Sequence, residues 1–198
     1  MASALCVMLG ECGTNKAMTD RRQPRVRPPI DQAKLDEMAL SYVGRFATSR
    51  AKLLTYLKRK LRERGWAAAT PPDLDALADK MVRNGYVDDR AFAVSKARTL
   101  TARGYGIGRV RQALHGAGIG ANDGEEAREL AQGAALDAAI RFAQRRRLGP
   151  YATATPDPKS RERGLAAMLR AGHSMTLARR IMDCPPGRES ALREFHEN

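Results

Sequence analysis

The stretch Met81-Val82-Arg83-Asn84-Gly85-Tyr86-Val87-Asp88-Asp89-Arg90-Ala91-Phe92-Ala93 places a helix stop, a tight turn and a helix start within a few residues. Asn84-Gly85 supplies the left-handed conformation that ends a helix. Asp88 and Asp89 offer carboxylate oxygens to the free N–H groups opening the next one. The same grammar lies on both sides. Thr48-Ser49 opens a helix that stops at Gly65, and Arg103-Gly104 ends one that is followed by a second stop at Gly116 to Gly118. The segment therefore reads as a joint between repeated helical units.

Working outward, the first unit begins near Asp31. Leu35, Met38, Ala39, Tyr42, Val43 and Phe46 follow the i, i+3, i+4, i+7 spacing of an amphipathic helix. The next helix carries Leu53, Leu57 and Leu61, with Arg50, Lys52, Lys58, Arg59, Lys60, Arg62 and Arg64 on its other faces. Thr70-Pro71-Pro72 opens a third helix bearing Leu74, Leu77, Ala78, Met81 and Val82, since proline is tolerated in a first turn. A second unit has Ala91, Phe92, Ser95, Thr99 and Ala102 on one helix. Ile107, Val110 and Leu114 line the next, and a short acidic helix runs from Asp123 to Leu130. A third starts with Leu136, Ala139, Ile140 and Ala143 and passes Arg145-Arg146-Arg147. After the turn-rich segment 151–158 it continues through Leu165, Met168 and Leu169, then a Ser174-capped helix with Met175, Ala178, Ile181 and Met182. No segment alternates like a strand. The expected fold is all-α: tandem three-helix repeats forming an elongated, curved molecule. Each unit is too small to bury its stripe alone, so neighbours are expected to share a core.

The expected boundaries are a flexible basic arm over 1–32, repeats over 33–86, 87–132 and 133–184, and a polar tail over 185–198. The arm is Pro- and Arg-rich without apolar periodicity. The opening segment, with Cys6 and Cys12, is too short for a membrane span and lacks a basic start. The chain becomes coherent only after Met18, which marks that residue as an alternative start. Three cysteines without close pairing point to a reducing compartment, so the expected location is the cytoplasm.

Composition narrows the function. The 198 residues carry a net charge of +13 and 5% aromatics. Such a balance implies a polyanionic partner or an acidic protein face, although an Arg-rich genome also produces it. Arginine outnumbers lysine, which favours bidentate contact with phosphate or carboxylate. The candidate partner-binding residues are Arg50, Lys58, Arg59, Arg62, Arg103, Arg109, Arg111, Arg145, Arg146 and Arg147. For the run at 145–147, attraction of cations to a helix C-terminus is an equal explanation.

Gly85-Tyr86-Val87-Asp88-Asp89-Arg90-Ala91-Phe92-Ala93 carries a resemblance, together with Ser49-Arg50-Ala51 and Leu53 and Leu57. Arg103-Gly104-Tyr105-Gly106 with Arg109, Val110, Arg111, Gln112 and Leu114 extends it. These residues resemble the RecX family, regulators of the RecA recombinase. Arg145-Arg146-Arg147-Leu148-Gly149-Pro150-Tyr151 and Leu169-Arg170-Ala171-Gly172-His173-Ser174 resemble the family's third repeat in a divergent branch. The likeness covers roughly 33–183. It departs in a longer second helix in the first unit and in Trp66, where another aromatic is usual. It implies a monomer that binds the RecA filament on DNA and limits its growth or stability, with single- or double-stranded DNA as a further contact.

Other signals carry less. The Asp89-to-Leu114 segment could act as a helix-turn-helix reader of duplex DNA without RecA, the alternative function. Gly116, Gly118 and Gly120 follow a helix rather than a strand and sit beside acidic residues, so they terminate a helix and do not cradle phosphate. Asp88 and Asp89 read as caps rather than as a catalytic pair. Tyr86 and Tyr105 read as packing over turns. His115, His173 and His196 lack metal-ligand spacing with the cysteines, and Cys184 reads as an inert buried thiol. No nucleophile, base and oxyanion site assembles. The expectation is a non-enzymatic protein with no cofactor.

Overall fold

The computed structural model describes residues 28–194. The leader with Cys6, Cys12 and Met18, and most of the expected arm, lie outside the described residues. The helices are α1 (Gln32–Arg45), α2 (Arg50–Arg64), α3 (Leu74–Arg83), α4 (Asp89–Ala102), α5 (Ile107–His115), α6 (Glu125–Gly133), α7 (Ala135–Arg146), α8 (Pro158–Arg170), α9 (Met175–Asp183) and a one-turn α10 (Ala191–Glu194). A 3-10 turn spans Gly149–Tyr151. Among the described residues no strand forms, and no helix is long and apolar enough to cross a membrane.

Side-chain caps set most helix starts. Asp31, Ser49, Asp73, Asp88, Asp157 and Ser174 each accept a hydrogen bond from the N–H three residues on. Such a cap typically stabilises by about 1 kcal/mol. The third helix starts behind Asp73, so the Pro71-Pro72 pair lies just outside its first turn.

Burial divides into three clusters in chain order. Leu35, Ala39, Leu53, Leu57, Leu77, Ala78 and Met81 form the first. Ala93, Val94, Ala97, Val110, Leu114, Ala127 and Ala131 form the second. Ala139, Phe142, Met168, Ala178 and Ile181 anchor the third. Each unit thus holds its own core instead of sharing a continuous one with its neighbours. The second is alanine-rich, which lets α4 and α6 lie close together.

The repeat shows most clearly at the end of each second helix. There a glycine takes a positive φ: Gly65 at 78°, Gly118 at 69° and Gly172 at 91°. In the second and third units this turn presses on the start of the preceding unit's second helix. A Cβ on Gly118 would lie 2.3 Å from Ala51 Cβ, and one on Gly172 would lie 2.2 Å from the Arg109 nitrogen. Backbone bonds lock the second joint, with Gly106 N–H donating to Ala171 O at 3.0 Å and Gly108 N–H to Gly172 O at 2.9 Å. At the first joint the Ser49 hydroxyl donates to Ala117 O at 2.6 Å.

No unit precedes the first, and residues 28–30 take that place. Ile30 N–H donates to Gly65 O at 3.0 Å, and Ala67 N–H donates back to Ile30 O at 2.9 Å. The Arg64 guanidinium also donates twice to Pro28 O. Terminal units of a stacked array need such a cover.

These contacts correct several expectations. Ile30, counted in the arm, is fully buried in the first core. Leu192, counted in the polar tail, is buried in the third, and Arg180 donates to its carbonyl. Val87 belongs to the first core, so that core extends past residue 86. Phe46, Val82 and Met175 sit on the apolar stripes by spacing but are exposed. Phe46 is the C-cap of α1 in an extended conformation (φ −133°), which takes it out of helical register.

Candidate functional site

The ten expected cations do not form one site, and Arg50 leaves the set first. Its Nε donates to Asp79 at 2.7 Å and its Nη2 to Asp75 at 2.9 Å, tying α2 to α3. The hydrogen bond to Arg50 holds the Asp79 carboxyl below its ordinary value. Arg50 is thereby committed to an internal clamp. Its backbone N–H donates to Asp89 at 2.8 Å. Asp88 alone caps α4, through Ala91 N–H. The acidic pair therefore splits: Asp88 starts its own helix, and Asp89 receives the N-terminus of α2 from the unit before.

On α2 the structure brings Lys58 and Arg62 together, one helical turn apart, around a groove of about 470 Å³ with Thr55 and Leu61. Both are exposed, and neither forms an ion pair among the described residues. Arg59 lies apart from them, 3.7 Å from Glu63 and over the Tyr56 ring. Lys60 also pairs with Glu63, so part of this helix's charge is balanced locally.

In the second unit Arg103 is the exposed C-cap of α4. Arg109 donates to the Gln112 amide oxygen on its own helix at 2.6 Å. Arg111 faces a groove with Arg128 but also with Glu125 and Glu129. The N-terminal end of α5, which a recognition helix would present to base edges, is bonded to Ala171 and Gly172 of the third unit.

At the third unit Arg145 and Arg146 end α7, and Arg147 follows in a left-handed conformation with φ 52°. Arg145 and Arg146 line a groove of about 470 Å³ with Tyr105, Phe142 and Arg170. The Arg146 guanidinium lies 5.8 Å from the Phe142 ring centroid. Sequence reasoning did not single out Arg170. Its signal was positional: it closes α8 as Arg145 and Arg146 close α7, and the two ends converge only in three dimensions.

The uncharged candidates behave structurally. His173 is buried beside Phe142, and its Nε2 lies 3.1 Å from Gly104 O, so it donates there. Burial lowers its pKa, and Nδ1 has no partner. The buried Cys184 thiol donates to Arg188 O at 3.0 Å, and burial pushes its pKa up. Among the described residues no His, Cys, Asp or Glu group is arranged to hold a metal ion.

No family model matches the chain. It is 33% identical over 178 residues to the Regulatory protein RecX of Myxococcus xanthus (strain DK1622), covering 83% of this chain and 92% of that one. A crystal structure of regulatory protein RecX superposes with a TM-score of 0.56 at 23% identity, over 77% of this chain and 71% of that one. The crystal structure of RecX from Lactobacillus salivarius gives 0.54 at 17% identity, over 75% and 92%. These two likenesses concern the fold.

Proposed function

The chain belongs to the RecX family of regulatory proteins, and on that footing we propose that it regulates the RecA recombinase by binding the RecA–DNA filament and limiting its growth or stability. Strand exchange, ATP hydrolysis and RecA-stimulated repressor cleavage fall as consequences. The observation that carries this reading is the pairing of a stacked helical scaffold with exposed, uncompensated cations on separate units: Lys58 and Arg62 on α2, and Arg145 and Arg146 on α7. Cations spaced along successive repeats suit a partner that itself repeats, such as a protein filament or a nucleic-acid backbone. Their contacts are electrostatic and weaken with salt.

The protein acts in this reading as a monomer in the cytoplasm, by occupancy rather than by chemistry, and needs no cofactor. The test is RecA-dependent ATP hydrolysis on single-stranded DNA with the protein titrated in. Inhibition at or below equimolar amounts is expected. An unchanged hydrolysis rate would sink the proposal. Duplex reading by α4 and α5 without RecA is less favoured, because the joint with the third unit engages the end of α5 that would enter a groove.

A further inference from the structure

The groove between the ends of α7 and α8 differs from its neighbours in charge. Beside α5 and α6 the cations share their groove with Glu125 and Glu129. Another at the start of α4 holds Asp88 and Glu126 with Arg90 and Arg98. The α7–α8 groove has no carboxylate in its lining, yet three arginines, Arg145, Arg146 and Arg170, open onto it. None of the three forms an ion pair among the described residues. Cations collect at helix C-termini because the dipole favours them. That accounts for an arginine at either end, but not for two helix ends converging on one concavity with aromatic rings between them.

The geometry is fixed by the second joint. Gly104 has no Cβ, and one placed there would lie 3.0 Å from Phe142 N and 3.1 Å from the Arg145 guanidinium. Its absence lets α7 and the Arg145 side chain lie against the turn that carries Tyr105. Tyr105 is half-buried: it packs on the third core and also borders the groove. Ala167 and Ala171 give the groove a lining of small side chains. Its volume of about 470 Å³ falls within the roughly 300–1,000 Å³ usual for small-ligand sites.

We propose that this groove is a nucleotide subsite. A phosphate is held by the guanidiniums of Arg145, Arg146 and Arg170, and an unstacked base lies against Tyr105. Planar guanidiniums suit phosphate oxygens bidentately, and a base adds stacking on an aromatic face. An acidic peptide would use the arginines but leave the ring and the small-residue lining without a role. The nucleotide is either free or one unit of a single strand. The inference deepens the regulatory reading, since a protein seated on a nucleoprotein filament lies next to a strand.

The test omits RecA, so its failure is distinct from failure of filament regulation. Binding of a fluorescent oligothymidylate, of ATP and of polyglutamate is measured for the whole protein and for three variants. These are the Arg145→Gln/Arg170→Gln double change, Tyr105→Leu, and Arg163→Gln, an exposed arginine of α8 outside the groove lining. The double change is expected to weaken oligonucleotide binding at least about tenfold and to reduce the log–log salt slope by about 1.4, roughly 0.7 for each lost phosphate contact. Tyr105→Leu is expected to weaken binding severalfold with the salt slope unchanged. Weakening of both ATP and oligonucleotide binding supports a subsite open to free nucleotide, and weakening of the oligonucleotide alone supports a strand subsite. Equal losses from Arg163→Gln, a loss with polyglutamate as large as with the oligonucleotide, or unchanged binding in a double variant of native helicity each overturn the proposal.

Discussion

The Asp89 carboxylate accepts a hydrogen bond from the backbone N–H of Arg50 at 2.8 Å, so the first turn of α4 holds the first turn of α2. Burial pushes the Asp89 carboxyl above its ordinary value of 3.8, against the lowering effect of that bond. A carboxyl raised on folding contributes stability that is present below the unfolded value and is lost as pH rises through the folded one. At neutral pH it is therefore the acceptor at this position, rather than the charge, that supports the joint.

Two replacements separate those effects. Asp89→Asn keeps an acceptor and removes the buried charge, and its melting temperature at neutral pH is expected to match or exceed that of the parent. Asp89→Ala leaves the Arg50 N–H unpaired and should cost about 1–3 kcal/mol by chemical denaturation. An Asn variant as unstable as the Ala variant would show that the charge is what holds α2.

The glycines of the second joint make a sharper contrast. A Cβ on Gly106 would lie 2.3 Å from Gly172 O, although its own φ of −79° suits any residue. Gly133, at the end of α6, has nothing within 4 Å of the same position. Gly106→Ala is expected to force the second and third units apart and to destabilise by about 2 kcal/mol or more, within the range of overpacking. Gly133→Ala should stabilise by about 0.4–1 kcal/mol, because it restricts the unfolded chain without a clash. Hydrogen exchange checks the mechanism. Gly106→Ala should lose protection first at the amides of Gly106 and Gly108, which donate across the joint.

Helices were legible because their signals are local. Ser49, Asp88 and Ser174 are capping side chains that act within three residues, and Gly65 or Gly85 ends a helix through its own φ. Ile30 and Leu192 were not legible, because each is a lone apolar residue in a polar segment whose burial depends on a distant surface. Arg50 stood in the basic set for the same reason, since Asp75 and Asp79 reach it only once α3 folds back. The cations of α2 were visible as a cluster, while the convergence of Arg145, Arg146 and Arg170 requires the two helix ends to meet.

His173 gives the second joint a pH response. It is buried, donates from Nε2 to Gly104 O, and has no partner for Nδ1. Burial lowers its pKa below 6.5, outweighing the carbonyl contact that raises it. The unfolded chain therefore binds a proton before the folded one does. The neutral ring's contribution is full above about 6.5 and is lost as pH falls through that value toward the lowered folded one. Denaturation midpoints should drop over that window in the parent, and the drop should shrink in His173→Gln, whose amide can still donate. An identical pH profile in the variant would assign the response to other groups.

The exposed cations of α2 are the direct test of the filament reading. Lys58 and Arg62 lie off the buried stripe of Leu53 and Leu57, so changing both to Glu should leave helicity intact and stability within about 0.5 kcal/mol. Reversal of two charges that meet an acidic or phosphate surface should raise the concentration needed to inhibit RecA-dependent ATP hydrolysis by roughly tenfold, about 1.4 kcal/mol. The difference should narrow as salt is added. Arg50→Ala supplies the contrast: it breaks the clamp to Asp75 and Asp79, so it should lower the melting temperature while leaving the inhibitory concentration unchanged wherever the protein stays folded. If the Lys58/Arg62 reversal leaves inhibition intact while the Arg145/Arg146 pair changed to Glu abolishes it, the filament-facing surface lies on the third unit and α2 only carries solvated charge.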